Sequence, residues 1–293
     1  MQTQQDTGSA ARAGARDARA YWREQMEAAA AMMEVCQGLP VRECLEPLRD
    51  LRAAADDAGV RVDFSGTPLS PGMARIFRLR AGLVPRLLAA AEEMRRRGWV
   101  LRIEDGYRSV AMQRSLVHIP AIFDAIYRKT VWELGGQTPD AGLMLRRVTA
   151  LVATRPKIGT HMSGSALDIS VLRADTGAEV DRGGPYLEMS ELTPMASPFV
   201  DAAARRNREA ITEIMGRHGF LAYPYEFWHY SQGDVYDLYL NGRRDGQTPA
   251  RYGAVDWDGR SDAVTPTAHP GELLHRPEDI QAEIRRAIQN AGK

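Results

Sequence analysis

Cysteine, lysine, net charge and long apolar runs are all scarce in this 293-residue chain. Cys36 and Cys44 are the only cysteines, too few for a disulfide scaffold and without the CxxC spacing of a thiolate metal site, so they read as reduced thiols. The 38 basic side chains are balanced by 38 acidic ones. A general nucleic-acid binder carries a clear basic excess, so no nucleic-acid partner is expected. Lysine stands only at 129, 157 and 293, and the other 35 cations are arginine, which reads as coding bias rather than chemistry. No stretch approaches the roughly 18 uninterrupted apolar residues of a membrane span. The first twenty residues hold no apolar h-region, which gives the expectation of a cytoplasmic protein without a secretory signal and without a membrane partner. GxGxxG, GxxxxGK[ST], GxSxG and HExxH are all missing.

With 44% hydrophobic residues the chain can build a core, which excludes global disorder. After a polar, frayed start at 1–20, a helical region is expected from Ala20 to Ala58, broken at Gly38-Leu39-Pro40. It forms a helical N-terminal extension, residues 1–70. In the main domain, 71–240, the pattern predicts a helix around Leu83–Met94, a strand at Trp99–Ile103 and helices over 110–134 and 139–153. A strand at Ala166–Leu172, a helix at 199–217 and a strand at Phe220–Tyr230 interrupted by Pro224 follow. Residues 241–293 read as a loop-rich extension closed by a helix over Pro277–Gln289.

Three polar blocks interrupt this pattern. Gly159-Thr160-His161-Met162-Ser163-Gly164-Ser165-Ala166-Leu167-Asp168 sets a His and an Asp seven residues apart across a loop that enters a strand. Tyr225-Glu226-Phe227-Trp228-His229-Tyr230 embeds a Glu and a His among aromatics. Asp105-Gly106-Tyr107-Arg108-Ser109 places an Arg at a strand-to-helix turn. His161, Asp168 and His229 together supply two imidazoles and one carboxylate, the donor set of a catalytic zinc site with one open position. Water there would have its pKa lowered to about 7. A carboxylate amid aromatics is costly to bury without a task, so Glu226 is the candidate base that moves a proton from water to a leaving amine. Arg108 can hold a developing oxyanion with its fixed fork of donors. His118 and His218 read as packing or helix-end residues, and His269 and His275 as solvated tail residues.

HxxGxAxD followed much later by ExWH resembles the zinc D,D-peptidases of the M15 group. The blocks Asp175–Val180, Tyr186–Glu191, Asn207-Arg208 and Ile214-Met215, with the Gly-Tyr-Arg turn before Gln113, are similar to the D-alanyl-D-alanine dipeptidases of that group in particular. The likeness covers about residues 80–235. It implies an α+β fold, with helices packed around a central antiparallel sheet that carries Zn²⁺ on His161, Asp168 and His229. It also implies Glu226 as base, Arg108 as the transition-state arginine, and Tyr107, Gly159, Thr160, Leu187, Glu188 and Trp228 as substrate contacts.

Two positions depart from that pattern. Gly159 stands where the group usually has Ser. Leu187 stands where it usually has the Asp that meets a free ammonium, with Glu188 adjacent. Either Glu188 or another acid reaches in, or the substrate carries no ammonium there. The leading expectation is a zinc hydrolase of a small D-amino-acid dipeptide such as D-Ala-D-Ala. The alternatives are an amidohydrolase of a specialised biosynthetic pathway on the same scaffold, and a non-catalytic module for peptidoglycan-like peptides, against which Glu226 argues. The N-terminal helices would cap the cleft or form a homodimer contact.

Overall fold

A computed structural model describes the backbone of residues 6–291 and the side chains of residues 18–290. In chain order the elements are α1 Asp6–Gly38, β1 Leu48–Asp50, α2 Leu51–Ala58, β2 Asp63–Phe64, β3 Arg78–Arg80, α3 Val84–Arg96, β4 Trp99–Asp105, α4 Val110–Ser115, α5 Pro120–Glu133 and α6 Ala141–Val152. There follow β5 Ala166–Arg173, α7 Ala202–Arg217, β6 Leu221–Ala222, β7 His229–Ser231, α8 Val235–Leu240, β8 Val255–Trp257, β9 Val264–Pro266 and α9 Pro277–Ala291.

The central sheet has the order β2-β4-β5-β7-β6. Three of its four pairings are antiparallel, as expected, but β2 runs parallel to β4, so the sheet is mixed. Alternation along β5 decides its two faces. Leu167, Ile169 and Val171 point to one side and pack with Leu101 and Ile103 of β4 against Leu87, Ala91 and Met94 of α3 and Ile211, Ile214 and Met215 of α7. Ala166, Asp168 and Ser170 point to the other side.

That other side is covered by a helical layer. Trp22, Met26 and Ala29 of α1 share one apolar cluster with Phe123 and Ile126 of α5, Met144, Val148 and Leu151 of α6, and Ile280 and Ile284 of α9. The helix begins at Asp6 where a frayed segment was expected; residues 1–5 of that segment lie outside the described residues. It ends at Gly38, before Pro40. The expected second half, up to Ala58, is helical only from Leu51, where Asp50 caps the first turn through bonds from the Arg52 and Ala53 amides. The intervening chain instead forms β1, which pairs with β3. Among the described side chains of α1, Trp22, Met26, Ala29, Met32, Met33 and Cys36 are buried within the chain, while Val35 is exposed.

Pro120 divides the 110–134 region as expected. His275, expected in solvent, is buried beside His118, with ring centroids 5.4 Å apart. Burial and that neighbour lower its pKa to about 4. The reason is α9, whose docking on α5 and α6 carries the preceding tail inward. Among the described residues no helix is long and apolar enough to cross a membrane.

Candidate metal and catalytic site

Strand register assembles the site. Asp168 of β5 lies directly opposite His229 of β7, and on its other flank opposite Asp105 of β4. The β4–β5 pairing steps from Ile103↔Ile169 to Asp105↔Asp168, leaving Glu104 as the extra residue of a bulge. Without that bulge Glu104, not Asp105, would flank Asp168. Gly106 then carries the chain into the turn. A Cβ there would lie 2.7 Å from the Ile76 carbonyl oxygen and 3.1 Å from that of Arg78, so only glycine fits between these backbones.

His161 arrives on the loop before β5. Its Nδ1–H donates to the Gly106 carbonyl oxygen at 2.6 Å. A carbonyl can only accept, so this bond fixes the tautomer and leaves Nε2 facing Asp168 Oδ1 at 3.1 Å. His229 Nδ1 lies 3.0 Å from the same oxygen, and its Nε2 is 2.9 Å from Thr160 Oγ1. With Nε2–H donating to Thr160, Nδ1 presents its lone pair to the same point. The donor atoms of His161, Asp168 and His229 all lie within 4.8 Å of one another, and the three side chains are buried. The two imidazoles and the carboxylate fit a divalent metal of the zinc type, with outer-shell bonds already in place.

Burial alone would raise the Asp168 carboxyl. The neighbouring His161 and His229 side chains and the Arg108 guanidinium outweigh it and hold the group well below the usual carboxylate range. Burial lowers His229, partly offset by Asp168, which favours the neutral, metal-binding imidazole.

Arg108 bridges the strands, with Nε donating to Asp105 Oδ2 at 2.8 Å and Nη2 to Asp168 Oδ2 at 3.0 Å. Arg75 Nη1 flanks Asp105 at 3.1 Å. Burial opposes the charge on Arg108, but Asp105 and Asp168 more than offset that, so it stays a guanidinium. Its Nη1 makes only a 3.4 Å contact with Gln113 Oε1 and remains available to a ligand. Glu226 sits in the turn between β6 and β7. Burial, reinforced by the Asp168 charge and partly countered by Arg108, pushes its carboxyl well above the ordinary range. A carboxyl tuned upward beside a metal-type donor set is placed to accept and return a proton.

These groups line one cleft of about 630 Å³, open mouth included. Arg108, Gly159, Thr160, His161, Asp168, Leu187, Glu226, Trp228 and His229 all reach it. Two expected substrate contacts do not. Tyr107 turns away from Arg108, donates its hydroxyl to the Val255 carbonyl at 2.9 Å and stands edge-on to Trp257. Glu188 packs on Gly184. Tyr186, whose hydroxyl donates to Asp168 Oδ2 at 2.9 Å, and Asp105 were not expected in the site, although both lie inside blocks that the sequence singled out. Met33 of α1 also lines the cleft. A Cβ on Gly159 would fall 2.1 Å from Met162 Cε, so the methionine tip occupies the space a serine side chain would need.

The chain is 29% identical over 253 residues to a D-alanyl-D-alanine dipeptidase of Synechocystis sp., covering 74% of this chain and 95% of the relative. It is 37% identical over 71 residues to one of Enterococcus faecium, covering 24% of this chain and 35% of that one. Among solved structures it is similar to the vancomycin-resistance D,D-pentapeptidase VanY in complex with Zn(II), with TM-score 0.33 and 19% identity, covering 70% of this chain and 93% of that one. Residues 59–243 match the M15 peptidase family, described as D-ala-D-ala dipeptidase. That span takes in Arg108, His161, Asp168, Glu226 and His229, and the chain belongs to the M15 peptidases.

Proposed function

We propose that this protein is a zinc-dependent hydrolase of the amide bond in a small D-amino-acid peptide of the D-Ala-D-Ala class. The observation that carries the reading is the convergence of a three-donor metal set with an upward-tuned Glu226 and an available Arg108 donor in one cleft. His161, Asp168 and His229 would hold the metal, which when bound supplies Lewis acidity toward water and the scissile carbonyl.

The protein's own groups do the rest. Glu226 accepts a proton from water as the oxygen adds to the carbonyl carbon, and gives it to the amide nitrogen as the C–N bond breaks, so one water is consumed and an acid and an amine leave. Arg108, held by Asp105 and Asp168, donates toward the oxygen on which negative charge develops. A pure binding module has no use for a base so placed.

Hydrolysis of a panel of D- and L-dipeptides should vanish on chelation and return with one equivalent of zinc. Chelator-resistant turnover would overturn the reading. Arg108→Ala should lower kcat by about 10²–10³-fold, the usual effect of losing one oxyanion donor. A kcat within a factor of about three of wild type in steady-state assays would remove Arg108 from this role.

A further inference from the structure

Residues 181–201, between β5 and α7, contain no helix or strand, yet they pack against the turn that bears Glu226. Two backbone bonds make the junction. The Met195 amide donates to the Pro224 carbonyl at 2.9 Å, and the Phe227 amide donates to the Thr193 carbonyl at 3.2 Å. They hold the turn on both sides of Glu226. No sheet ladder fixes residues 192–195, so the aim of these two bonds depends on what satisfies the segment's own carbonyls.

Arg208 of α7 does so. It is buried, and its Nε donates to the Arg182 carbonyl at 2.6 Å, Nη1 to those of Pro194 at 2.8 Å and Met195 at 3.4 Å, and Nη2 to that of Leu192 at 2.8 Å. One side chain thus ties the start of the segment to its end. Among the described residues no carboxylate forms an ion pair with it. Burial and the nearby Arg182 charge lower its pKa to about 10, which leaves it a cation at neutral pH. A buried cation without an acid is costly to keep, and this one is spent on carbonyls and an aromatic ring. Its Cζ lies 4.1 Å from the ring centroid of Phe227, the residue next to Glu226, and that of Arg182 lies 4.9 Å from the same centroid. A planar fork with donors along its edges can gather four carbonyls, whereas a point-like ammonium cannot.

We infer that Arg208 is a positioning residue for Glu226: it holds residues 192–195 and the Phe227 ring so that the turn presents the carboxylate at one fixed reach into the cleft. This rests on the hydrolase reading above, which takes Glu226 as the base. Arg208 does not itself line the cleft.

The test compares zinc-loaded full-length wild type with Arg208→Met and Arg208→Lys. The lysine variant keeps a cation near Phe227 and removes only the fork, which guards against a methionine variant that fails to fold. On the best substrate of the dipeptide panel, kcat should fall about 10²-fold in Arg208→Lys, as for a misplacement of roughly 1 Å, with KM within about threefold and one zinc retained per chain. In a Glu226→Asp background the carboxylate is already set back by one methylene, so adding Arg208→Lys should cost no more than about threefold. Independently of turnover, the Met195 and Phe227 amides should exchange hydrogen at least about tenfold faster in Arg208→Lys, while the β4–β5 amides keep their protection. An unchanged kcat in Arg208→Lys overturns the inference, as does a loss that persists at full size in the Glu226→Asp background. Unchanged exchange at both amides overturns it too. If wild type turns over no peptide of the panel, the hydrolase reading falls and the exchange comparison alone decides this one.

Discussion

A protein in which both His161 and His229 are replaced by alanine is expected to carry no stoichiometric zinc and to show no hydrolysis. These residues supply two of the three donors, and Asp168 alone offers a single carboxylate. Loss of an outer-shell partner typically weakens metal binding 10–100-fold, so loss of two direct donors should exceed about 100-fold. The substitution leaves the fold a route to survive. Asp168 stays neutralised by Arg108 at 3.0 Å, and the Tyr186 hydroxyl still donates to it, so no unpaired charge is created in the sheet. Elemental analysis of the purified double variant, beside wild type with the same circular dichroism, decides the matter. Retention of one zinc per chain would mean that the metal sits elsewhere.

Glu226→Gln should keep its zinc and lose about 10²–10⁴-fold in kcat, because an amide cannot accept the proton of the attacking water. The same substitution has an opposite effect on stability. In the folded protein the Glu226 carboxyl titrates well above its ordinary value of 4.5, chiefly through burial. A group raised in this way leaves stability intact below its unfolded pKa and erodes it as pH rises toward the folded pKa, because the unfolded chain ionises first. Metal-free Glu226→Gln protein should therefore melt above metal-free wild type at pH 7, by about 2–4 °C for each kcal/mol relieved, and the two should converge near pH 4. Coincident melting curves at pH 7 would show that the buried carboxyl carries no such penalty. Undiminished kcat would show that another group moves the proton.

The parts of the site that were legible in the sequence are those where residue type conflicts with local pattern. A Glu and a His among aromatics, and a His–Asp pair entering a strand, stand out because burying them needs a reason. All four side chains meet in the cleft. What was not legible depends on pairing between distant segments. The parallel β2 edge, the Glu104 bulge and the Asp105–Arg108–Asp168 bridge exist only once β4 and β5 are in register. Tyr107 and Arg108 are adjacent in sequence, yet the turn sends one into the Val255 neighbourhood and the other to Asp168, a divergence that no periodicity encodes. The burial of His275 follows from the docking of α9, which lies far along the chain from the elements it covers.

The pairing of Asp168 opposite His229 also bears on how the chain holds its shape over time. These residues are 61 positions apart, and the segment between them includes α7 and the β6–β7 turn that carries Glu226. A cation held by both would act as a removable clip across that loop, restricting the freedom of the opened chain much as a cross-link does, with an entropic gain that grows only slowly with loop length. Unclipped, β7 is a three-residue strand held by its two neighbours, short enough to open locally ahead of the longer β4–β5 pair. Metal supply would then bear on the protein's working lifetime, and loss of a bound ion would loosen first the hairpin that carries Glu226.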